Sequence, residues 1–375
     1  MLELKGKYTN AKVFTDNIEE TAVGQVIGMI SDKLAEDTQV RIMPDVHAGK
    51  GSTVGTTIKF KDGKITRAVP NVVGVDIGCG IFMTKIADVD VTDVDFEKLD
   101  EVVNKYVPSG FSTHQTEQPR GRELAEKLRL ELDEKKIGHI ARSVGTLGGG
   151  NHYIELAQTE EGELWLSVHS GSRNLGLQVA QSYQKIAEAN FKEGLLEATN
   201  KDLAYLEGQD LDNYLHDMVI AQDYAKWNRA RMISAILTNM GWKQADVFDS
   251  IHNFISVEEG IIRKGATSAR EGERLVIPLN MRDGSLICEG LGNEDWNFSA
   301  PHGAGRVLSR SKARKELDLD EYIEQMKDVY TTSVQYSTID EAPNAYKPAH
   351  EIIDNIKDTA KVIHHLKPLY NFKAK

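Results

Sequence analysis

The spacing of apolar residues predicts an irregular succession of strands and helices along the chain. A β-branched run at Val72, Val73 and Val75 predicts a buried strand within the segment Asn71–Gly80. Further strands are predicted over Gln39–Met43, Val54–Phe60, Ile81–Ile86, Tyr153–Leu156, Leu164–Val168, Ala245–Ser250, Arg274–Pro278 and Ser285–Glu289.

Helices are predicted where apolar residues recur at helical spacing or where charged faces extend over several turns. These segments are Ile18–Leu34, Asp93–Tyr106, Arg120–Lys136 and residues 175–240. The last segment contains an apolar stripe, which is typical of a side that faces the core rather than of a cofactor site. The stripe consists of Leu211, Leu215, Met218, Ala221 and Ala225.

The remaining segments complete the prediction of fold class. A basic turn is predicted over Arg263–Arg270 and a basic helix over Arg306–Lys315. Two more helices close the chain, and His364 and His365 are placed in the last one. Because strands and helices interleave irregularly, with no internal repeat and no Pro/Ser-rich linker, we expect a single α+β domain over residues 1–375 rather than a doubly wound sheet.

Composition narrows the class of protein. A formal net charge of −12 argues against a protein that coats nucleic acid through bulk electrostatics, although it is compatible with a local basic groove. The two cysteines, Cys79 and Cys288, are too few for a disulfide framework. We therefore expect the protein to be located in the reducing cytoplasm. The N-terminus lacks the apolar run of a signal peptide and no stretch could span a bilayer, so we expect no membrane association.

The segment Asn71–Gly80 also carries candidate chemistry. It holds a carboxylate at Asp76 and a thiol at Cys79, with glycines at 78 and 80 that let an ion approach the backbone. A carboxylate and a soft thiolate together could provide half of a metal site. The alternative is a buried acid and a small core cysteine beside a tight turn.

Four histidines lie at the ends of apolar runs or in glycine loops, each near a polar residue. They are His152, His169, His252 and His302. One such histidine alone is usually a hydrogen-bonded core residue. Together with Asp76, Cys79 and the acid–histidine loop at 45–47, they supply enough donors for two metal ions that share Cys79. Ligand softness favours zinc over manganese, and the sequence chemistry leaves the metal open.

Glycine loops beside these histidines indicate phosphate binding. Gly148–Gly150 and the turn at 303–305 would bring backbone N–H groups forward, although the lysine of a P-loop does not follow either one. Basic residues lie near the same loops: Arg173, Lys264, Arg270, Arg306 and Arg310. They would bind phosphates or, alternatively, helix carboxyl ends and surface acids.

A set of motifs runs in order over nearly the whole chain. They are Pro44–Gly51 (PDVHAGKG), Gly74–Gly80 (GVDIGCG), Gly145–His152 (GTLGGGNH), His169–Arg173 (HSGSR), His252–Asn253, Lys264–Gly272 (KGATSAREG), His302–Arg306 (HGAGR) and Asp340–Pro348 (DEAPNAYKP). The set resembles the RtcB family of RNA ligases. The resemblance implies an RtcB-like fold with central sheets surrounded by helices.

The resemblance also implies an activity and a metal site. RtcB ligases join an RNA 3′-phosphate or 2′,3′-cyclic phosphate end to a 5′-hydroxyl end, with GTP and manganese, in RNA repair or tRNA splicing. By this resemblance, Asp76, Cys79 and His152 would hold one manganese ion. Cys79, His169 and His252 would hold the second.

For the nucleotide, the resemblance makes His302 the nucleophile that takes GMP from GTP. The implied nucleotide contacts are Asn151, His152, Glu155, His252, Asn253, His302, Gly303, Ala304, Gly305 and Lys373. Glu155 would recognise guanine. Lys375 is close enough to Lys373 to be an alternative match.

The chain departs from the family pattern in two places. Pro278–Met281 has Pro-Leu-Asn-Met where the family usually has Pro-Gly-Ser-Met, and Ala300-Pro301 replace a Cys-Ser pair. The first departure lies in a loop that contacts the nucleotide, so we expect weaker use of GTP. Since the chain is also shorter than better-known members, we expect a divergent branch with its own substrate.

Two other functions would use the same residues. One is a two-metal phosphohydrolase or cyclic phosphodiesterase that acts without a nucleotide step. The other is a non-catalytic, metal-stabilised module that binds nucleic acid. Glu155 and the segment 302–306 count against the hydrolase, while the net charge and an idle His302 count against the module.

Overall fold

Strands and helices alternate without a βαβ repeat in the computed structural model, which describes residues 1–49 and 51–374, and the fold is α+β as predicted. The strands are β1 (Leu2–Lys5), β2 (Asn10–Val13), β3 (Thr38–His47), β4 (Val54–Phe60), β5 (Gly80–Ala87), β6 (Tyr153–Gln158), β7 (Leu164–Ser170), β8 (Lys243–Ile251), β9 (Asn253–Ser256), β10 (Ile261–Lys264), β11 (Ala266–Ser268), β12 (Arg274–Asn280), β13 (Gly284–Gly290), β14 (Ser299–Pro301) and β15 (Ala360–Phe372).

The helices differ widely in length. They are α1 (Glu20–Ile30), α2 (Pro70–Val73), α3 (Phe96–Tyr106), α4 (Pro119–Glu126), α5 (Glu134–Ser143), α6 (Arg173–Lys192), α7 (Gly208–Met240), α8 (Arg310–Glu316), α9 (Leu319–Gln325) and α10 (Ala349–Asn355). No helix within the described residues combines the length and the apolar character that crossing a membrane requires.

The larger sheet places several loop ends at one edge. Among the described residues it has the strand order β12-β13-β15-β6-β7-β5-β8, and every neighbouring pair is antiparallel. Gly80 at the start of β5 pairs with Ser170 at the end of β7 and with Ile251 at the end of β8. Tyr153 at the start of β6 pairs with His169. The antiparallel order therefore gathers the beginnings of β5 and β6 beside the ends of β7 and β8.

The smaller sheet has the order β1-β2-β3-β4-β10-β9 within the part of the chain that is described. It shares an apolar core with α1, whose residues Ala22, Val26 and Ile30 are fully buried, as their helical spacing predicts. His252 alone separates β8 of the larger sheet from β9 of the smaller one. The two sheets therefore meet at the edge where the loop ends gather.

The apolar stripe predicted within residues 175–240 is confirmed. It lies on α7, a helix of 33 residues that contacts both β5 and β7. Leu215 is partly buried. The other four members of the stripe are buried: Leu211, Met218, Ala221 and Ala225. Most of this face lies in the apolar core that α1 and the smaller sheet share. The larger sheet packs instead against a later part of α7, at Met232, Ile233 and Ile236.

The strand predicted from Val72, Val73 and Val75 is wrong. The segment forms the short helix α2, with Pro70 in its first turn, where a missing N–H leaves no hydrogen bond unmade. Gly74, with φ +97°, ends the helix. Val72 and Val73 are fully buried and Val75 is exposed. The apolar residues of this run therefore bury one side of a single helical turn, not a strand.

The prediction of one helix over Arg120–Lys136 is also wrong, because the segment forms parts of two helices. α4 ends at Glu126, and Asp133 begins α5 by accepting a hydrogen bond from the Lys136 N–H. This capping interaction starts a new helix in the middle of the predicted one.

Three predicted loops and boundaries differ from the structure. β3 continues through the loop predicted at Pro44–His47, and a bulge in its register with β4 accommodates the proline. The basic turn Arg263–Arg270 instead contains strand residues of β10 and β11. The basic helix, α8, begins at Arg310 rather than at Arg306.

The last predicted helix is a strand. β15 lies inside the larger sheet, between β13 and β6, and carries His364 and His365. Its exposure alternates with period two: Lys361, Ile363, His365 and Lys367 are exposed. Leu366 is buried between two of these residues.

The strand conformation of β15 can be tested with Leu366 and Ile363, which are three positions apart. Leu366→Ala should lower the free energy of unfolding by about 2–5 kcal/mol because a buried side chain is lost. Ile363→Ala, the matched control, should lower it by less than about 1 kcal/mol because Ile363 is 42% exposed. Chemical denaturation of both variants measures the two losses. Residues three apart share a face of a helix, so equal losses would contradict a strand here.

Candidate active site

Cys79, His152, His169 and His252 meet at the edge where the loop ends of the larger sheet gather. The Cys79 Sγ lies 3.5 Å from His152 Nε2 and 3.3 Å from His169 Nε2. The His169 and His252 Nε2 atoms are 3.4 Å apart. All four side chains are buried. Strand pairing thus brings together four predicted donor residues that are far apart in the sequence.

Asp76 adds a carboxylate to this cluster from the loop before β5. Its Oδ2 lies 2.9 Å from His152 Nε2, and its Oδ1 accepts a hydrogen bond from the Ser172 N–H at 3.1 Å. Gly171 packs so closely against the carboxylate that a Cβ at that position would clash with it. The carboxylate is therefore held against the cluster from two sides.

Backbone carbonyls orient two of the rings. The Nδ1–H of His152 donates to the Leu147 carbonyl at 2.8 Å, and the Nδ1–H of His169 donates to the Asn151 carbonyl at 3.2 Å. In this tautomer the Nε2 lone pair of each ring faces the cluster. Metal-binding histidines are commonly oriented in this way.

Burial sets the protonation of the cluster. Burial, reinforced by the neighbouring histidines, lowers the pKa of His169 and of His252 well below the ordinary value. Burial, with Asp76 nearby, raises the pKa of the Cys79 thiol well above its ordinary value. The imidazoles are thus neutral and able to ligate, whereas the thiol requires a nearby cation to lose its proton.

The donor atoms form two overlapping sets that fit divalent metal ions. One set is Cys79, His169 and His252, and the other is Asp76, Cys79 and His152. The donor atoms of each set lie within 4.8 Å of one another. Imidazole nitrogens with a thiolate and a carboxylate are ligands of transition metals. Because Cys79 belongs to both sets, its sulfur would be shared.

Two buried side chains of α7 hold the loops that carry these donors. Arg229 donates from Nη1 to the Gly78 and Ser170 carbonyls, both at 2.8 Å. Asn228 accepts hydrogen bonds from the two N–H groups at residues 145–146. Sequence reasoning missed both residues, since polar residues on a long helix usually face solvent.

His302 follows β14 and faces the same cluster. Its ring centroid lies 4.9 Å from that of His252. Its Nδ1–H donates to Asp45 Oδ2 at 2.6 Å, and its backbone N–H donates to the same oxygen at 3.2 Å. Asp45 is fully buried on β3. The carboxylate therefore fixes the ring and leaves the His302 Nε2 with a free lone pair.

Sequence reasoning missed this role of Asp45. It counted the loop at 45–47 among the metal donors, but Asp45 faces His302, and the His47 Nδ1–H donates to the Asp45 carbonyl at 3.0 Å. Across residues 1–49 and 51–374, neither side chain belongs to a group of metal donors. The sequence signal for this role was an acidic residue inside a long motif. Its partner, His302, could not be predicted because it lies far along the chain.

One cavity of about 330 Å³ joins the metal donors to His302. Its lining includes most of the predicted nucleotide contacts: Asn151, Glu155, His252, Asn253, Gly303, Ala304, Gly305 and Lys373. The structure therefore gathers these residues in one place, next to the metal donors.

Glu155 and Lys373 lie in the wall of this cavity. Glu155 accepts a hydrogen bond from Asn371 Nδ2 at 2.9 Å, and burial raises the pKa of its carboxyl to about 8. Lys373 is buried and pairs with the Glu341 carboxylate at 2.8 Å. The alternative match, Lys375, lies outside the described residues.

Only some of the basic residues that were predicted to cluster lie together. Three of the five line the cavity: Lys264, Arg306 and Arg310. Arg173 instead donates to the Gly110 carbonyl at 3.0 Å, and Arg270 pairs with Glu259. The interpretation as phosphate ligands therefore applies to the three in the cavity lining.

The departure at Leu279–Asn280 has a structural explanation. Asn280 lies in the turn between β12 and β13, where its Nδ2 donates to Asp283 Oδ2 at 2.8 Å and its Oδ1 accepts the Arg282 N–H at 3.0 Å. Its amide is thus used by its own turn. Leu279 is buried in the same apolar cluster as Ala304. The expected weaker use of GTP stays a prediction.

Comparison with known proteins agrees with the motifs. Residues 33–133 and 120–374 match the family described as tRNA-splicing ligase RtcB. The RNA-splicing ligase RtcB of Escherichia coli strain K12 is 32% identical over 376 residues, which cover 89% of this chain and 90% of that protein. The tRNA-splicing ligase RtcB of Aeropyrum pernix is 27% identical over 404 residues, which cover 83% of this chain and 82% of that protein. The chain belongs to the RtcB family.

Proposed function

We propose that the protein, as one domain over residues 1–375, is an RNA ligase that joins 3′-phosphate or 2′,3′-cyclic phosphate ends to 5′-hydroxyl ends. Membership of the RtcB family supports an RNA ligase. The reaction would use GTP and manganese, pass through GMP on His302, and serve RNA repair or tRNA splicing in the cytoplasm. The observation that carries the proposal is His302, which is held by Asp45 and lines one cavity together with members of both metal-donor sets.

His302 has the arrangement of an activated nucleophile. Asp45 holds its Nδ1–H, so the neutral ring keeps the Nε2 lone pair for attack. Attack of Nε2 on the α-phosphorus of GTP would form an N–P bond and release pyrophosphate. The Asp45 carboxylate would stabilise the positive charge that the ring gains.

Two further transfers would complete the joining. A 2′,3′-cyclic phosphate end would first be hydrolysed by water to a 3′-phosphate and a free 2′-hydroxyl. An oxygen of the RNA 3′-phosphate would then attack the phosphorus of the bound GMP, which frees Nε2 of His302 and leaves the GMP on the RNA end. The 5′-hydroxyl of the second RNA would then attack the 3′-phosphorus, lose its proton and expel GMP. Activating a 3′-phosphate is useful only when a free hydroxyl attacks it, so the proposal requires a 5′-hydroxyl end.

The two donor sets would hold two manganese ions, which would neutralise negative charge on the phosphoryl oxygens. Lys264, Arg306 and Arg310 would bind phosphate oxygens from the lining of the same cavity. Arg306 and Arg310 are already oriented by the buried Glu341 carboxylate.

Glu155 would recognise guanine. Guanine presents two neighbouring N–H donors on its pairing edge, and the two oxygens of an ionised carboxylate can accept both. Burial raises the pKa of Glu155 to about 8, so its ionised form has to be favoured by the two guanine donors. A base without both donors would favour that form less and bind more weakly. Lys373 and Asn151 would contact the nucleotide from the same wall.

The alternative is a two-metal phosphohydrolase or cyclic phosphodiesterase that acts on RNA ends without a nucleotide step. It would use the same metal donors. Neither the buried Glu155 nor the Asp45–His302 pair has a task in that reaction, whereas both are needed for the ligase. We therefore favour the ligase.

The shared sulfur makes a prediction about metal content. Cys79→Ala should lose both manganese ions, because each donor set loses a ligand. Cys288→Ala is the matched control: this free cysteine is also buried, but in a separate apolar cluster, so the variant should keep two ions per chain. Elemental analysis after dialysis against manganese measures both. Full occupancy in Cys79→Ala would show that the sulfur is not shared.

The covalent step makes a second prediction. Incubation with GTP and manganese should place GMP on His302 as a phosphoramidate that is labile in acid and stable in base. His302→Ala should form no adduct. Asp45→Ala should form it about 10²- to 10⁴-fold more slowly, because the ring loses the acceptor that sets its tautomer.

Peptide mass spectrometry locates this adduct. A radiolabel at the α-phosphate of GTP gives the rate for each variant. GMP on a lysine, or no adduct with any divalent metal, would reject His302 as the nucleophile.

The polarity of the reaction is the third prediction. RNA pairs that differ only in the position of the phosphate are incubated with GTP and manganese, and the products are separated on a denaturing gel. Ends with a 3′-phosphate or cyclic phosphate should be sealed to a 5′-hydroxyl end, and His302→Ala should seal none. Sealing of 5′-phosphate to 3′-hydroxyl ends, or phosphate release without GTP and without a joined product, would support a different enzyme.

A further inference from the structure

Phe111 protrudes from the loop between α3 and α4 with its side chain 104% exposed. Within the described residues, no other large hydrophobic side chain is as exposed. Single exposed apolar residues are common on protein surfaces, so the exposure alone indicates nothing. What makes Phe111 informative is its loop, which contacts the glycine loop that leads into Asn151 of the cavity lining.

The loop that carries Phe111 is fastened to the glycine loop at 148–150. The Gly110 N–H donates to the Gly148 carbonyl at 2.8 Å. Arg173, at the start of α6, donates from Nη2 to the Gly110 carbonyl at 3.0 Å. Phe111 thus follows a backbone that is held from two sides, and its ring is open to solvent.

The glycine loop offers hydrogen-bond donors at the same place. The backbone N–H groups of Gly149, Gly150 and Asn151 have no acceptor among residues 1–49 and 51–374. A Cβ on Gly149 would lie 4.0 Å from the Gly110 Cα, so the two loops are in contact. Asn151 also lines the cavity. Successive free N–H groups in a glycine loop are suited to a phosphate.

We propose that Phe111 and the N–H groups of Gly149–Asn151 bind the single-stranded end of the RNA substrate. The Phe111 ring would stack on a base, and the loop would accept the neighbouring phosphate. Stacking on aromatic side chains, combined with backbone contacts, binds single-stranded RNA without reading its sequence. The inference rests on the proposed function, which supplies the RNA.

The charge of the chain favours this mode of binding. The net charge is −12, and Arg306 and Arg310 in the cavity lining are paired with Glu341. Long-range attraction of RNA phosphates is therefore weak. Stacking and backbone N–H groups need no net positive charge, so they would add to the phosphate contacts of the basic residues in the cavity lining. Because Asn151 lies in both surfaces, the stacked nucleotide would be close to the reacting end.

The test measures binding of a fluorescent RNA with a 3′-phosphate to the full chain without GTP. Phe111→Ala should weaken binding about tenfold, and Phe111→Trp should restore it, since a base stacks on either ring. Leu195→Ala is the matched control, because it also removes an exposed apolar side chain, 65% exposed, from a loop. This control should bind as the unchanged protein does.

A cycle with modified RNA separates stacking from a structural effect. Abasic nucleotides are placed in turn at the last four positions of the RNA. At the stacked position, Phe111→Ala should cause no further loss, because the base that it would contact is already absent. Unchanged binding in Phe111→Ala, or a tenfold loss that persists with every abasic RNA, would overturn the proposal in favour of a protein partner or a structural role.

Guanylylation of His302, measured on the same preparations, keeps the two proposals apart. If no adduct forms in the unchanged protein while the cycle shows coupling, the ligase mechanism fails and RNA binding by Phe111 stands. If the adduct forms and the cycle shows no coupling, only the role of Phe111 is rejected.

Discussion

A buried guanidinium holds the metal-donor loops in place. Arg229 is fully buried, and its carboxylate partner is Asp249, at 2.8 and 2.7 Å. A buried charge is tolerated only when its hydrogen bonds are made, because the cost of leaving water is several kcal/mol. Arg229 meets this condition through the Gly78 and Ser170 carbonyls, which adjoin the donors Cys79 and His169. Docking of α7 on the larger sheet therefore fixes the positions of these donors as well.

Burial also divides the cavity into two chemical environments. Around Cys79 burial favours neutral imidazoles and a protonated thiol, which would ionise beside a bound cation. Near Lys373 the charges are already paired: burial opposes ionisation of Glu341, but Lys373 and Arg310 lower its pKa to about 2. One end of the cavity thus has donor atoms that suit metal ions, while the other end holds fixed and already paired charges.

Bounds could be predicted where apolar residues and turn signals mark them within one segment. Val54–Phe60 forms β4 with the predicted bounds, although residues 55–58 are all buried and the strand does not alternate in exposure. β15 alternates, but His364 and His365 sit among lysines, and its place inside the larger sheet depends on pairing with β6, far away in the chain. The same holds for the site: residue types and motif order predicted a set of side chains that the fold brings together and that could hold metal ions, whereas the partner of His302 depends on how distant strands pack.

The active site exists only where the two sheets meet. The larger sheet supplies most of the metal donors, the smaller sheet supplies Asp45, and β14 delivers His302 between them. The chain after His302 has to pass against Asp45 to keep this bond. Gly305 makes that possible: its φ is +76°, and a Cβ there would lie 2.6 Å from the Asp45 carbonyl oxygen. The glycine is therefore a condition for the hydrogen bond that orients the His302 ring.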